Sequence, residues 1–288
     1  MKKIKIAAGI TLYNPQAKTI DHINEYLNSC DMVLVFDNSD KRGNEHNKLI
    51  DKFTNDRRLI YIDGKGNCGL PFAYNRMMSE EKIADFDYMC TLDQDSIFSH
   101  EDITIIRKYI EERYIAIRNN VAVIAPYIDY GRKIDRGHKR EKRIEDRGRV
   151  ITSGAFVNLY LYHSGNFSYD ENYFIDKFEI DLCKQFTNAG YKILMYHASI
   201  LHQRLGEESG HDHPNHSPLR HYYLFRNRFY YNKKFYKFPV RVCLNIMQTL
   251  KHLALIVMYE NNKTKKVFQL KNAIFDYKCK CYGKTNKV

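Results

Sequence analysis

Two carboxylates one residue apart, Asp93 and Asp95, follow the apolar run Tyr88 to Leu92. A carboxylate pair at the end of a buried strand can hold a divalent ion, which as a Lewis acid neutralises a leaving diphosphate. Hard oxygen ligands suit Mg2+ or Mn2+. A solvated acidic turn would carry the same letters, so the buried strand before the pair is the context that gives it meaning. A second acidic group, Asp176, Glu179 and Asp181, offers a base for a hydroxyl proton. On one helix Asp176 and Glu179 share a face, and Asp181 points about 160° from Glu179. The preference of acids for a helix N-terminus explains the same cluster without chemistry. Gly66-Asn67-Cys68-Gly69 opens a helix after a strand. Its glycines let backbone approach a ligand, and the helix N-terminus favours phosphate.

These residues need elements to position them. Apolar runs at Ile4–Leu12, Met32–Phe36, Arg58–Ile62, Tyr88–Leu92 and Val121–Pro126 read as strands. Helical spacing over Ala17–Asn28, Leu70–Glu81 and Ile103–Ile117 separates most of them. Such alternation predicts a mostly parallel sheet with helices on both faces, and ligands at the carboxyl ends of its strands. Asn14, Asp37, Asn67, Asp93 and Asp95 all fall just past a last apolar residue. Residues 129–149 carry mixed charge and read as a mobile excursion. A strand over Val150–Asn158, a helix over Asp176–Ala189, a strand over Lys192–Tyr196, a His-rich loop and a helix over Pro218–Asn232 follow.

The chain has 288 residues, 44% of them hydrophobic and 28% charged, which excludes a wholly disordered, a collagen-like or a polytopic membrane protein. A net charge of +12 favours anionic partners: nucleotide phosphates, nucleic acid or acidic lipid. The opening Lys2-Lys3 and short apolar run contain Lys5 and no small-residue cleavage site, so they read as a strand and not a signal peptide. Seven scattered cysteines without a CxxC pair read as reduced thiols of a cytoplasmic protein. Cys279 and Cys281 alone do not make a zinc site. In Val240–Tyr259 the uninterrupted apolar run is Leu253–Tyr259, too short to span a bilayer. Cys243, Ile246, Leu250, Leu253 and Val257 have helical spacing, and lysines follow. The stripe would either pack on the preceding domain or lie on an anionic inner-membrane surface.

Eight pieces in order carry a resemblance. They are Thr11-Leu12-Tyr13-Asn14-Pro15, Asp37-Asn38-Ser39, Gly66-Asn67-Cys68-Gly69-Leu70-Pro71, Thr91-Leu92-Asp93-Gln94-Asp95-Ser96, Ser153-Gly154, Phe174-Ile175-Asp176, His202 with Gly206, and Tyr222-Tyr223-Leu224-Phe225-Arg226-Asn227. Together they span roughly four-fifths of the chain. The chain resembles family 2 inverting glycosyltransferases of the GT-A type, in their bacterial rhamnosyltransferase-like branch. The resemblance implies a GT-A fold: a Rossmann-like, mostly parallel sheet flanked by helices. The catalytic domain would cover 1–232, with a nucleotide-sugar half at about 1–127 and an acceptor half at about 150–232. A helical basic extension, 233–288, would follow.

It further implies nucleotide-sugar contacts from Thr11, Tyr13, Asn14, Asp37, Asn67, Gly69, Asp93 and Arg226. An Asx turn at Asp37 is compatible with that role. Asp93, Asp95 and His202 would hold Mn2+ or Mg2+. Glu179 matches the usual base, where the family more often has Asp; Asp176 is the second candidate and Asp181 completes the cluster. The implied activity moves L-rhamnose from dTDP-L-rhamnose onto a glycan or lipid-linked glycan hydroxyl in cell-surface polysaccharide synthesis, with a UDP-hexose as the alternative donor. The enzyme would be cytoplasmic, or peripheral on the inner face of the membrane, with no nucleic-acid partner. A non-catalytic basic binding protein is the rival class. Acidic clusters at the expected cleft argue against a nucleic-acid backbone there.

Overall fold

Strands covered by helices on both faces carry continuous apolar runs, because neither side meets water. Ile6–Leu12 is such a run, and all seven of its residues are buried. The structure, a computed structural model, describes residues 2–16, 19–40, 43, 50–51, 56–131, 138–203 and 215–285. Gly206, His211 and His213 of the expected His-rich loop lie outside the described residues. The chain divides into two compact units: Met1–Tyr169 with Leu182–Arg204, and Asp170–Asp181 with Leu205–Val288.

The first unit is built on one eight-stranded sheet. Its strands are β1 (Ile6–Leu12), β2 (Met32–Asp37), β3 (Leu59–Asp63), β4 (Tyr88–Asp93), β5 (Val121–Asp129), β6 (Ile144–Asp146), β7 (Ala155–Asn158) and β8 (Lys192–His202). Their order is β3-β2-β1-β4-β7-β5-β8-β6. β3, β2, β1 and β4 run parallel, and β5 and β8 run parallel. β7 enters antiparallel to both β4 and β5. The expected mostly parallel α/β sheet is present, with β7 and β6 as its reversed members. Helices α1 (Thr19–Ser29) and α3 (His100–Ile117) cover one face, where Ile23, Ile103 and Ile106 meet Ala8, Ile10 and Val35. Helix α2 (Leu70–Met78) packs on β1 and β2 through buried Ala73, Tyr74 and Met77. Short α4 (Leu159–Ser164) is capped by Asn158, whose side chain accepts from the Leu161 amide.

The stretch 129–149 is not wholly an excursion. Within it β6 pairs antiparallel with β8. Among its described residues Arg140 pairs with the buried Asp102, and Glu145 with Arg147 and His197. Mixed charge reads as solvated loop, but ion pairing lets such a strand join a sheet edge.

Helix α5 (Phe178–Asn188) runs from the second unit into the first. The second unit holds α6 (Pro218–Phe235), α7 (Val240–Tyr259) and α8 (Lys263–Lys278). Helix α7 has 20 residues, with a mean hydropathy of 1.4 over an 18-residue window, so by length and composition it could cross a membrane, although its uninterrupted apolar run is short. Its expected apolar stripe does not pack inward: Cys243, Ile246, Leu250 and Val257 are exposed. Of that stripe only Leu253 packs inward, beside buried Ile256, and polar residues share the inner side. Asn245 and Gln248 accept from Asn232 of α6, at 2.7 and 3.1 Å.

A buried chain of polar groups continues from there. Arg228 Nη2 reaches His252 Nδ1 at 2.8 Å, His252 Nε2 reaches His221 Nδ1 at 2.9 Å, and His221 Nε2 reaches Glu260 Oε2 at 2.8 Å. A guanidinium only donates. Its position therefore fixes the direction: His252 accepts at Nδ1 and donates from Nε2, and His221 then donates to Glu260. Lys266, itself buried, closes the end at 2.7 Å from Glu260. Burial beside the Arg228 cation holds His252 down to about 3 and neutral.

Candidate active site

In the first unit the strand register lines the polar residues along one sheet edge. Leu12 pairs with Asp37, Thr11 with Asp93, and Asp37 with Asp63, so Thr11, Asp37 and Asp93 end adjacent parallel strands together. This is the carboxyl edge at which open α/β sheets bind ligands.

Asp93 is held there by a hydrogen-bonded set. Ser153 Oγ donates to Oδ2 at 2.8 Å, Gln203 Nε2 donates to the same oxygen at 3.2 Å, and Ser96 lies 2.7 Å from Ser153 Oγ. Burial pushes the Asp93 carboxyl above its ordinary range; the Ser153 bond opposes this and the charge of Asp95 adds to it. A carboxylate buried beside another is short of positive charge. Asp95 is exposed, and Gln203 Oε1 is buried without a hydrogen-bond partner. Two carboxylates and an amide oxygen are hard donors, and Mg2+ is commonly held by one or two carboxylates with substrate phosphates completing its shell. The residues fit such an ion.

His202 does not join them. It ends β8, bridges Ile97 through backbone, and its Nδ1 lies 3.0 Å from Asp129. No cluster of three or more His, Cys, Asp or Glu with metal-binding arrangement occurs among the described residues. His202 Nδ1 is engaged with the carboxylate at the end of β5, which fixes the ring orientation and leaves Nε2 as its other nitrogen.

The loops after β1, β2 and β3 interlock. Asp37 is fully buried; its Oδ1 accepts from the Ser39 amide at 3.0 Å, the Asx turn, and Oδ2 accepts from Tyr61 at 2.5 Å. Asn38 accepts from the Cys68 amide at 2.9 Å and donates to Gly69 O at 3.2 Å. Asn67 Oδ1 accepts from the Gly69 amide at 3.1 Å. Gly69 (φ 88°) caps α2 without a side-chain bond. Tyr13 is exposed and donates to Asp40 at 3.2 Å, Asn14 (φ 48°) donates its amide to Ser39 at 2.8 Å, and Gln94 grips the Tyr13 backbone from both sides. Asn38, Gln94, Ser153 and Gln203 thus position the edge. The first three lay in the recognised motifs without an assigned role; Gln203, adjacent to His202, gave no signal of its own.

The turn that brings Ser153 to Asp93 requires glycine next to it. Gly154 has φ 75°, and a Cβ there would sit 2.7 Å from Leu201 Cδ1 and 2.9 Å from Pro126 Cγ.

In the second unit the acidic group precedes and opens α5. Asp176 (φ 57°) and Lys177 (φ 73°) are left-handed, so the helix starts at Phe178 and Asp176 does not share a helical face with Glu179. Asp176 Oδ1 accepts from Arg220 at 3.1 Å, while its Oδ2 is buried without a hydrogen-bond partner. Glu179 stands in the first turn of α5. Asp181 is fully buried; Tyr173 donates to it at 2.7 Å and Lys234 pairs with it at 2.8 Å. That carboxylate fastens α5 to α6 and is no base for an incoming hydroxyl.

Arg226 was expected to clamp a diphosphate. It is 1% exposed, and its guanidinium donates to Asn172 O, Tyr173 O and Gly283 O at 3.2, 3.0 and 2.7 Å. Its charge is spent on carbonyls. Asn227 continues the pattern, donating to Tyr173 O, Ile175 O and Asp176 O at 3.0, 2.5 and 3.1 Å. The carbonyls they hold belong to a strained loop. Phe174 (φ 64°, ψ −51°) sits in a γ-turn closed by the Ile175 amide on Tyr173 O at 2.8 Å. The Arg-Asn pair pins the loop that presents Asp176 and Glu179.

No family model matches the chain. Over 273 residues, 90% of this chain and 90% of its relative, it is 25% identical to the dTDP-rhamnosyl transferase RfbF of Shigella flexneri. Among solved structures it is similar to residues 1–349 of S. aureus TarS in complex with UDP-GlcNAc: TM-score 0.60, 14% identity, 95% of this chain and 80% of that one. The same protein with UDP gives a TM-score of 0.55 at 11% identity, over 99% and 94% of the two chains. GalNAc-T7 with UDP, GalNAc and Mn2+ gives 0.52 at 13% identity, over 77% of this chain and 48% of that one. The chain shares the fold of these solved structures and a sequence likeness to a rhamnosyl transferase. Both bear out the rhamnosyltransferase-like resemblance drawn from the motifs and the enzyme class it implied.

Proposed function

We propose that the chain transfers a sugar, with inversion, from a nucleotide-diphosphate donor to a hydroxyl of a glycan or lipid-linked glycan, and that the donor is dTDP-L-rhamnose. The observation that carries the reading is the edge of the sheet: Thr11, Asp37 and Asp93 end parallel strands side by side, with Asp95 next to Asp93. Likeness over nine-tenths of the chain to a dTDP-rhamnosyl transferase supports rhamnose. TarS bound to UDP-GlcNAc supports a UDP-sugar as the second reading.

In this mechanism Tyr13 and Asn14, exposed on the loop that follows the buried Thr11, meet the nucleoside, while buried Asp37 and the internally bonded Asn67–Gly69 turn hold the neighbouring loops in place. Asp93 and Asp95 would hold Mn2+ or Mg2+, which would supply Lewis-acid neutralisation of the leaving diphosphate. Ser153 and Gln203 orient Asp93. Glu179, or Asp176 in the alternative, takes the proton from the acceptor hydroxyl as its oxygen attacks the anomeric carbon and the bond to the diphosphate breaks. One base and one displacement invert the centre. The lipid-linked acceptor and a cytoplasmic or inner-membrane-face location belong to this proposal.

The test is donor binding by calorimetry with dTDP-rhamnose, UDP-glucose and UDP-GlcNAc side by side, with Mn2+, with Mg2+ and with EDTA. Selective binding of dTDP-rhamnose that EDTA abolishes is expected. Binding of a UDP-sugar alone moves the donor to the second reading. No binding of any of them with metal present sinks the transferase reading for this donor set.

A further inference from the structure

Helices α7 and α8 bury a mixed face, with Ile256, Ala273 and the partly buried Leu253, Leu270 and Ile274 beside polar groups, and leave a large apolar surface outside. On α7 the residues facing α6 are Asn245, Gln248 and His252, all hydrogen-bonded inward, while Ile246, Leu250 and Met258 are 56%, 62% and 60% exposed. On α8 the pattern repeats. Lys266, Gln269 and Asp276 are buried, Asp276 accepting from Tyr222 of α6 at 2.8 Å, and Val267, Phe268 and Phe275 are exposed. Helices that leave this much contiguous apolar surface exposed have a second apolar environment to meet.

The charge says what that environment is. Residues 233–288 hold 13 Lys and Arg against 2 acids, an excess of 11 within a whole-chain charge of +12. Both acids, Glu260 and Asp276, are buried, so the outer surface of this region carries no carboxylate among the described residues. On α8 lysines and phenylalanines alternate along one exposed stripe, Phe268, Lys271, Phe275 and Lys278, with Lys271 lying 6.0 Å from the Phe268 ring centre. Apolar side chains beside lysines whose stems can reach toward phosphates match an acyl–headgroup boundary of negative charge. A nucleic-acid backbone would use the lysines and gain nothing from Leu250 or Met258. A second copy would bring the same positive charge against itself. Crossing the bilayer is disfavoured by the inward side of α7, where Asn245, Gln248 and His252 are tied to α6 and its neighbours.

We propose that the outer faces of α7 and α8 form a docking surface for an anionic membrane, with both helices lying in its plane. The surface does not depend on the donor, so vesicle binding and donor binding fail or succeed separately.

The experiment is co-sedimentation of the full chain with vesicles of phosphatidylcholine alone and of phosphatidylcholine with phosphatidylglycerol, at low and high salt. Binding to the anionic vesicles, weak on neutral ones and reduced by salt, is expected. Leu250→Glu with Ile246→Glu should weaken it at least about ten-fold. Each of Lys271→Glu and Lys278→Glu should weaken it about five-fold or more. Lys108→Glu, exposed on α3 of the other unit, should leave it unchanged. Melting curves of these surface variants check that they fold. Loss with the lysine changes but none with the apolar ones overturns the proposal, since the face would then be only an electrostatic patch. No vesicle binding overturns it as well; if the chain is then a dimer that Leu250→Glu separates, the face belongs to a second copy.

Discussion

Replacing Asn227 with alanine isolates the pinning of the acidic loop. The side-chain amide donates to three carbonyls, those of Tyr173, Ile175 and Asp176. At about 1 kcal/mol net for each bond, the loss is about 3 kcal/mol. Against it stands the strain of Phe174, Asp176 and Lys177, all at positive φ. Left-handed backbone costs roughly 1–2 kcal/mol per such residue, so the strain is about 3–6 kcal/mol. The two are of one size, and Arg226 alone, with its bonds to Asn172 O and Tyr173 O, does not reach Ile175 or Asp176. The loop should therefore open in the variant while the helices around it stay folded. Hydrogen exchange measured on a peptide covering 172–179 reads this directly. A 3 kcal/mol loss corresponds to roughly 100-fold faster exchange through local opening. Under the proposed function the same variant should lower kcat and leave the donor KM in place, because the residues assigned to the donor are on the sheet edge. Unchanged protection of 172–179 in Asn227→Ala would refute the reasoning.

Asp93→Asn should abolish metal-dependent donor binding, yet raise or preserve the melting temperature of the metal-free protein. The folded carboxyl sits above its unfolded value, so its charge opposes folding near neutral pH, and an amide removes that cost. Gly154→Ala should destabilise by about 2–5 kcal/mol, combining left-handed strain with overlap onto Leu201 and Pro126, and a melting temperature measures it. His252 gives a pH dependence: its folded value, about 3, lies below the unfolded 6.5, so the unfolded chain binds more protons between the two and stability falls as pH drops through that window. Denaturant midpoints at pH 7 and pH 4.5 should differ less for His252→Phe than for the unaltered chain.

What could be read from the letters followed the physics of each segment. Doubly covered strands announce themselves as unbroken apolar runs, and the polar residue just past each run marks the sheet edge; that is why the strand-end positions of Asp37 and Asp93 were legible in the letters, whereas Thr11, inside its run, was named only through the resemblance. β7 reads as a strand, but four residues, Ala155–Asn158, three of them apolar, hold no record of direction, and its antiparallel entry follows from the turn at Ser153-Gly154. β6 was hidden because Arg140 and Glu145 look like solvent-seeking charges until Asp102 and His197 are placed against them. Helical spacing found α7 but not which way it faces. Periodicity measures a difference between two sides, and the side that turns inward is chosen by the partner; here α6 offers Asn232, Arg228 and His221, which select the polar side. Arg226 was misread for a related reason. An arginine in a recognised motif can meet a phosphate or a backbone with the same donors. Only the fold brings the carbonyls of Asn172, Tyr173 and Gly283 to it, and a left-handed turn such as Phe174–Lys177 leaves little trace in non-glycine letters. The motif residues gather at the sheet edge in one unit and around the Tyr173–Lys177 loop in the other. Their division into those that meet the substrate and those that hold the others in place is a property of the packed chain.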